Sequence, residues 1–135
     1  MTRSYYLKKD TPSITLEVNV STIGEATTVA LKKKSGGVIE KVTSSPLADG
    51  IIPLQDIGNG DRLGDSVLDV TTLIELDMIP QNLWDSSFEN LVITYRFSGG
   101  IDGPQVYEYD LDDKTRSSSG KTILVRKAIR MILVA

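Results

Sequence analysis

Residues 56–65 read DIGNGDRLGD, a run with three aspartates, one asparagine and three glycines. Carboxylate and amide oxygens are the ligands that calcium prefers, so the run is a candidate metal loop. An EF-hand loop that started at Asp56 would need oxygen ligands at its third and fifth positions and a glutamate at its twelfth. Those positions hold two glycines and Val67. The spacing therefore excludes an EF-hand.

The alternative, which we favour, is that this run forms a structured connection into a strand that starts near Ser66. Asparagine and aspartate cap turns through their own side chains, and we expect Asn59 and Asp61 to do so. Glycine adopts positive φ angles at no steric cost. We expect such angles at Gly58, Gly60 and Gly64.

A different calcium site would combine aspartates from two loops at one end of a β-sandwich. Hard cations favour such carboxylate clusters. The more common structure is a solvated acidic rim, so calcium is the weaker alternative, and we expect no cofactor. The candidate ligands are Asp56, Asp61, Asp65, Asp110, Asp112 and Asp113.

Two further groups of side chains are candidates for contact with a partner. Trp84 and Phe88 lie four residues apart and would form an aromatic platform for a sugar or a protein if they were exposed. We favour the alternative that the tryptophan covers the open end of the core. The basic residues near the C-terminal end, Arg126, Lys127 and Arg130, are candidate contacts with a protein partner.

The chain has no cysteine and no histidine. This composition excludes disulfides, thiolate nucleophiles, Cys/His zinc sites and histidine acid–base catalysis. Carboxylates, lysine, tyrosine and serine remain, so a carboxylate enzyme stays an alternative. We do not expect an enzyme.

Charge is unevenly distributed along the chain, although the net charge is only −3. Residues 1–43 carry seven basic and four acidic side chains, residues 44–113 carry two and fourteen, and residues 114–135 carry six and none. Such asymmetry can mark an interaction surface. We favour the simpler interpretation, in which terminal strands pair with middle strands and the two signs mix within the fold.

Several classes of partner are not supported by the sequence. The one short basic run, Lys32 to Lys34, lies in an acidic chain, which argues against sequence-specific nucleic-acid binding. No apolar run approaches the roughly 20 residues needed to span a bilayer. The N-terminal MTRSYYLKKD lacks the apolar stretch of a secretory signal. We therefore expect a soluble protein that is cytoplasmic or assembled into a particle.

Alternation of apolar and polar residues is the main structural signal, and it predicts β-strands. Residues 14–21 and 66–76 alternate most clearly, residues 26–33 place Thr27, Val29 and Leu31 on one face, and Ile/Val content favours a strand over a helix for residues 121–135. Residues 78–89 lose the alternation and predict a crossover with one helical turn. Residues 111–120 predict a mobile polar loop.

Together these patterns predict one domain over residues 1–135, an all-β antiparallel sandwich of about eight or nine strands, jelly-roll-like or immunoglobulin-like. The terminal apolar run MILVA is expected to be buried in its own sheet or against a neighbour. Since little in the sequence can do chemistry, we expect a non-catalytic structural or protein-interaction module. A homo-oligomer or a subunit of a virion or injection machine would fit. A calcium- or carbohydrate-binding module is the alternative.

Overall fold

The computed structural model describes residues 1–34 and 36–134, and it confirms the predicted all-β sandwich. Ten strands form two sheets, against the eight or nine expected. Their bounds are β1 Arg3–Leu7, β2 Ile14–Ser21, β3 Glu25–Lys34, β4 Ile39–Ser44, β5 Ile52–Gly58, β6 Ser66–Glu75, β7 Val92–Ser98, β8 Gln105–Glu108, β9 Lys114–Arg116 and β10 Thr122–Leu133.

The large sheet has six strands in the order β1-β10-β6-β3-β4, with β9 also paired to β10. Strands β1 and β9 share one edge of β10: β1 lies opposite Ile129–Leu133 and β9 lies opposite Ile123–Val125. The β1–β10 pair is parallel, unlike the antiparallel pairing expected throughout. The small sheet has four antiparallel strands in the order β5-β2-β7-β8.

Short helical segments connect the strands. Helix α1 spans Gly60–Leu63, and the predicted crossover contains a 3₁₀ turn at Gln81–Leu83 followed by α2 at Trp84–Glu89. The prediction for residues 111–120 is wrong in part. A 3₁₀ turn at Leu111–Asp113 leads directly into β9, whose backbone pairs with β10.

The core lies between the sheets and follows the predicted alternation on β2, β6 and β10, and β7 alternates in the same way. Strand β3 differs, because its inward face carries Ala26, Thr28, Ala30 and Lys32, which are all buried. The more apolar face of β3, with Val29 and Leu31, points away from the core and is only half-buried. Charge-bearing and small residues thus occupy interior positions while larger apolar ones lie outside.

Two tyrosines in the small sheet provide a matched test of this core. The Tyr95 hydroxyl is buried without a hydrogen-bond partner among the described residues, and burial raises its pKa. The Tyr107 hydroxyl donates to the Ser4 carbonyl oxygen at 2.9 Å. We expect Tyr95→Phe to leave the free energy of unfolding unchanged or raise it by up to about 1 kcal/mol, and Tyr107→Phe to lower it by about 1 kcal/mol. Urea denaturation measures both; a clear loss for Tyr95→Phe would contradict this expectation.

Candidate interaction surface

The run 56–65 is a structured connection, as favoured from the sequence. Its first residues close β5, its middle forms α1, and β6 begins at Ser66. The Asn59 Oδ1 atom accepts a hydrogen bond from the Arg62 backbone N–H at 2.8 Å, which confirms the predicted cap. Asp61 instead lies 3.9 Å from the Lys9 ammonium group.

The glycines of this run have different roles from those predicted. Only Gly58 has a positive φ, at 136°, while the non-glycine Asp65 has a φ of 58°. Gly60 is required by space, because a Cβ there would overlap the Lys8 backbone carbonyl group, and a Cβ at Gly64 would displace the side chain of Leu133. The prediction for these two was wrong because close chain packing, rather than turn geometry, disfavours a side chain there.

The structure does not bring the two groups of candidate calcium ligands together. Among the described residues, only Asp110, Asp112 and Asp113 place three carboxylate oxygens within 4.8 Å of one another. Asp110 contacts Arg3 at the start of β1, whereas Asp61 lies near Lys9, beyond the other end of that strand. The exposed side chains of Asp56 and Asp65 belong to neither set of contacts.

The second group forms a closed set of ion pairs, which we call the aspartate network: Asp110, Asp112 and Asp113 with Arg3, Lys127 and the α-amino group of Met1. Lys127, fully buried on β10, donates to Asp110 Oδ2 at 2.6 Å and to Asp113 Oδ2 at 3.1 Å. Arg3 donates to Asp110 at 2.8 Å. The α-amino group donates to Asp112 at 2.9 Å and to Asp113 at 2.6 Å. Three cations thus balance three carboxylates at the gap between β1 and β9.

These contacts stabilise the ionised carboxylates. Hydrogen bonds from Lys127 and Arg3 lower the pKa of Asp110 to about 2. Burial acts to raise the pKa of Asp113, but hydrogen bonds from the α-amino group, the Asp110 backbone N–H and Lys127 outweigh it, so that pKa is also lowered. Both groups therefore stay charged and paired at neutral pH.

We expect calcium to have no measurable effect on thermal stability. The carboxylate oxygens of the aspartate network already accept hydrogen bonds from three cations, which calcium would have to displace. A site of micromolar affinity would add about 4 kcal/mol at millimolar calcium. Thermal melts with about 5 mM calcium and with chelator test this expectation, and a clear rise in Tm with calcium would contradict it.

We expect the fold to lose stability in acid. The pKa of Asp110 is lowered from 3.8 to about 2, so its contribution is fully present above the unfolded pKa and is lost as pH falls through the folded pKa. Tm should therefore fall between about pH 4 and about pH 2. Asp110→Asn should show a lower Tm at neutral pH and a smaller fall in this window. An equal acid-induced fall in both proteins would contradict the assignment.

The two aromatic candidates pack against the core rather than forming an open platform. Trp84 is half-buried, and its indole N–H donates to the Ile79 carbonyl oxygen at 3.0 Å. The Lys114 ammonium group lies 4.2 Å from the centre of the Phe88 ring. This arrangement agrees with the favoured interpretation, in which the tryptophan covers the end of the core.

The three basic candidates on β10 have different environments. Lys127 is fully buried in the aspartate network, so its side chain is not accessible to a partner. Arg126 and Arg130 are exposed on the outer face of the large sheet. Arg126 donates to Asp69 at 2.8 Å, and Lys33 donates to the same carboxylate at 3.0 Å. Burial acts to raise the pKa of Asp69, but these two bonds outweigh it and the pKa is lowered.

The outer face of the large sheet carries several apolar side chains, although no helix and no strand of the small sheet packs on it among the described residues. Over the stretches of β3, β6 and β10 that pair with one another, six of fifteen outward positions are apolar. Leu73 and Leu124 lie directly opposite each other on β6 and β10, and Leu73 is 38% exposed. We call these six positions the apolar stripe: Val29, Leu31, Val67, Leu73, Leu124 and Ala128.

The outer face of the small sheet has the opposite character. On its central strands β2 and β7, seven of eight outward positions are polar, and the exception, Val92, lies at the end of β7. Apolar exposure on this sheet is otherwise at the edges, at Leu54 on β5 and Val106 on β8. An antiparallel sheet with one solvated face alternates in this way. The large sheet departs from that pattern.

Sequence reasoning did not identify the apolar stripe. A signal was present in the sequence. Val67 and Leu73 interrupt the polar face of β6, and on β3 the face with Val29 and Leu31 is more apolar than the other face, which has only small or polar residues. Strands with apolar residues on both faces are typical of strands that are covered on both faces. Read in that way, these strands predict that something packs on the outside of the large sheet.

No helix among the described residues is long and apolar enough to cross a membrane. Comparisons with known proteins identify no relative: no family model matches the chain, and no curated protein or solved structure matches it significantly.

Proposed function

We propose that this protein is a non-catalytic structural or protein-interaction module that works as a subunit of a larger assembly, with the outer face of the large sheet as its contact surface. A virion or an injection machine is the kind of assembly we expect. One observation carries the proposal: the apolar stripe crosses an outer face on which no helix and no strand of the small sheet packs within residues 1–34 and 36–134, while the corresponding face of the small sheet is polar.

The energetics of the apolar stripe support this proposal. Burial of apolar surface contributes roughly 25 cal/mol per Å², so an outer face with six apolar side chains gains stability from a partner that covers it. Exposed apolar surface rimmed by polar groups is a feature of interaction sites, and Leu73, at 38%, is the stripe residue that is exposed. Thr27, Thr71 and Arg130 provide such polar positions around Leu73 and Val67.

The electrostatics of the acidic residues support a non-catalytic role. A carboxyl group that acts as a general acid near neutral pH needs a raised pKa. Among the described residues, the aspartate network is the one group of three carboxylates that lie within 4.8 Å of one another, and the pKa values of Asp110 and Asp113 are lowered by their cation partners. The same pairing argues against the calcium alternative, because those oxygens already have partners.

Site-specific photocrosslinking in the cells that naturally produce the protein tests the proposal. A photoreactive phenylalanine analogue replaces Leu73 in one variant, and in the control it replaces Thr94, which is half-buried on the polar outer face of the small sheet. We expect a crosslinked product of defined mass from position 73 and little or none from position 94. Equal yields from both positions, or no product from position 73, would overturn the proposal.

A further inference from the structure

We infer that the outer face of the large sheet binds the same face of a second copy of this chain. The twofold axis that relates the copies lies in the plane between the two large sheets and runs perpendicular to their strands. This inference rests on the proposed function and names the partner. The arrangement of charges around the apolar stripe carries it.

The acidic and basic side chains on this face are equal in number, and the two signs are concentrated at opposite ends of the face. On the central strands, three acidic side chains (Glu25, Asp69, Glu75) and three basic ones (Lys33, Arg126, Arg130) point outward. Glu25 and Glu75 lie directly opposite each other at one end, and neither makes an ion pair among the described residues. At the other end Lys33 and Arg130 flank Val67, with exposed Lys41 on the neighbouring β4.

The Glu25–Glu75 pair is unfavourable in an isolated chain. Like charges directly opposite on adjacent strands are destabilising, and the described residues place no cation in contact with this pair. A cation supplied from outside would relieve the repulsion. The basic end of this face, with Lys33 and Arg130, is eight residues away along β6, or about 27 Å, too far for contact with the pair within one chain.

A twofold axis perpendicular to the strands brings the two ends together. It reverses the strand direction in the second copy, so that the acidic end of each face covers the basic end of the other. Glu25 then lies over Lys33 of the second copy, because both residues are on β3. An axis parallel to the strands would instead place Glu75 over its own equivalent and Glu25 over Thr122, so that the two acidic ends would meet. The charge pattern therefore selects the first axis.

The centre of the face is compatible with this arrangement. Arg126, Thr71 and Val29 are cross-strand neighbours in the middle of the three strands, where the axis would pass. Arg126 approaches its own equivalent there, and the Asp69 carboxylate of its own chain holds its guanidinium at 2.8 Å. Leu124 on one side of the axis then covers Ala128 of the second copy, and Thr27 covers Leu31. Leu73 lies over Asp69 of the second copy, whose charge Arg126 and Lys33 already pair.

The area of the face agrees with a stable pair. The large sheet is five strands wide at a spacing of about 4.8 Å, and its strands are about 30 Å long, so its outer face covers roughly 700 Å² in each copy. A specific protein–protein interface buries about 800 Å² for each partner. Two sheets that pack face to face lie about 10 Å apart, and the side chains that point from this face can fill that gap.

Light scattering after size exclusion tests the inference with the full chain at concentrations from about 10 µM to about 1 mM. We expect the wild type to move from the chain mass of 14.8 kDa towards twice that mass as concentration rises. Leu73→Lys should raise the dimer dissociation constant at least about tenfold, because it places a third cation beside Arg126 and Lys33 of the second copy, which already pair with Asp69. Thr94→Lys on the small sheet is the control and should leave the constant unchanged.

A pair of charge variants tests the axis. Glu25→Lys with Glu75→Lys makes both ends of the face basic, and Lys41→Glu with Arg130→Glu makes both ends acidic. Each variant alone should be monomeric where the wild type is dimeric, and an equimolar mixture should restore the dimer. Far-ultraviolet circular dichroism checks that each variant is folded. Dimers formed by each variant alone would overturn the proposed axis.

The outcomes separate this inference from the proposed function. A wild type that stays monomeric to about 1 mM overturns the second copy as partner. In that case a crosslink from position 73 to a different protein still supports the interaction module. A dimer weakened by Thr94→Lys and not by Leu73→Lys places the contact on the small sheet and overturns both.

Discussion

Lys127→Met is expected to lower the free energy of unfolding by about 3 to 5 kcal/mol, the cost of breaking a buried ion pair by removing one partner. The Lys127 side chain is fully buried on β10, and its ammonium group donates to Asp110 and Asp113 and, at 3.2 Å, to the Met1 carbonyl oxygen. Methionine has a similar shape and no charge. The substitution therefore leaves the buried Asp113 carboxylate without one of its cations and causes little loss of packing volume.

Urea denaturation at pH 7 measures the effect, with Arg96→Met as the matched control. Arg96 is an exposed strand residue on the polar outer face of the small sheet, opposite Glu17, and its loss should cost less than about 0.5 kcal/mol. Adding Asp113→Asn to Lys127→Met should recover part of the loss, because it removes the uncompensated charge. Equal stability of Lys127→Met and Arg96→Met would show that the aspartate network contributes nothing to the fold.

The network also explains the uneven charge of the sequence. The basic segment 114–135 supplies Lys127 and Arg126, and the acidic middle supplies Asp110, Asp113 and Asp69. The two signs thus mix within one chain, as the simpler interpretation of the sequence predicted. The proposed contact between copies uses Glu25 and Glu75 at one end of the large sheet and Lys33, Arg130 and Lys41 at the other.

Local alternation was sufficient to predict most strands, because each strand of a two-layer sandwich has one face towards the core. It was not sufficient for β3, where Val29 and Leu31 point outward and Thr28 and Lys32 point inward. The inward Thr28 hydroxyl lies 2.9 Å from that of Thr72, and the Lys32 ammonium group lies 3.4 Å from Glu40. These partners come from β6 and β4, so no pattern within β3 could show that its polar face would be satisfied inside.

The aspartate network could not be predicted from the sequence for a similar reason. It requires β1 and β9 to lie on the same edge of β10, which brings residue 3 and residue 110 together although they are 107 positions apart. Such long-range pairing depends on the whole fold. The sequence identified the acidic residues of segment 110–113 as a group, but it gave no sign that their partners would be protein cations.

Gly60→Ala is expected to lower the free energy of unfolding by about 3 kcal/mol or more, because it overfills a contact between two backbone segments. A Cβ at this position would lie 1.8 Å from the Lys8 carbonyl oxygen and 2.9 Å from its carbonyl carbon. The Gly60 backbone N–H also donates to the Thr11 carbonyl oxygen at 2.9 Å, which ties α1 to the β1–β2 connection. The methyl group can be accommodated only if these segments separate and that bond breaks.

Gly103→Ala is the control that separates crowding from backbone strain. Gly103 has a φ of 74°, but a Cβ there would meet nothing within 4 Å, so alanine should cost about 1 kcal/mol through its backbone conformation alone. Urea denaturation of both variants should therefore differ by about 2 kcal/mol, with Gly60→Ala the less stable. If Gly60→Ala proved as stable as Gly103→Ala, the β1–β2 connection would be free to move away from α1, and close packing would not explain the glycine at position 60.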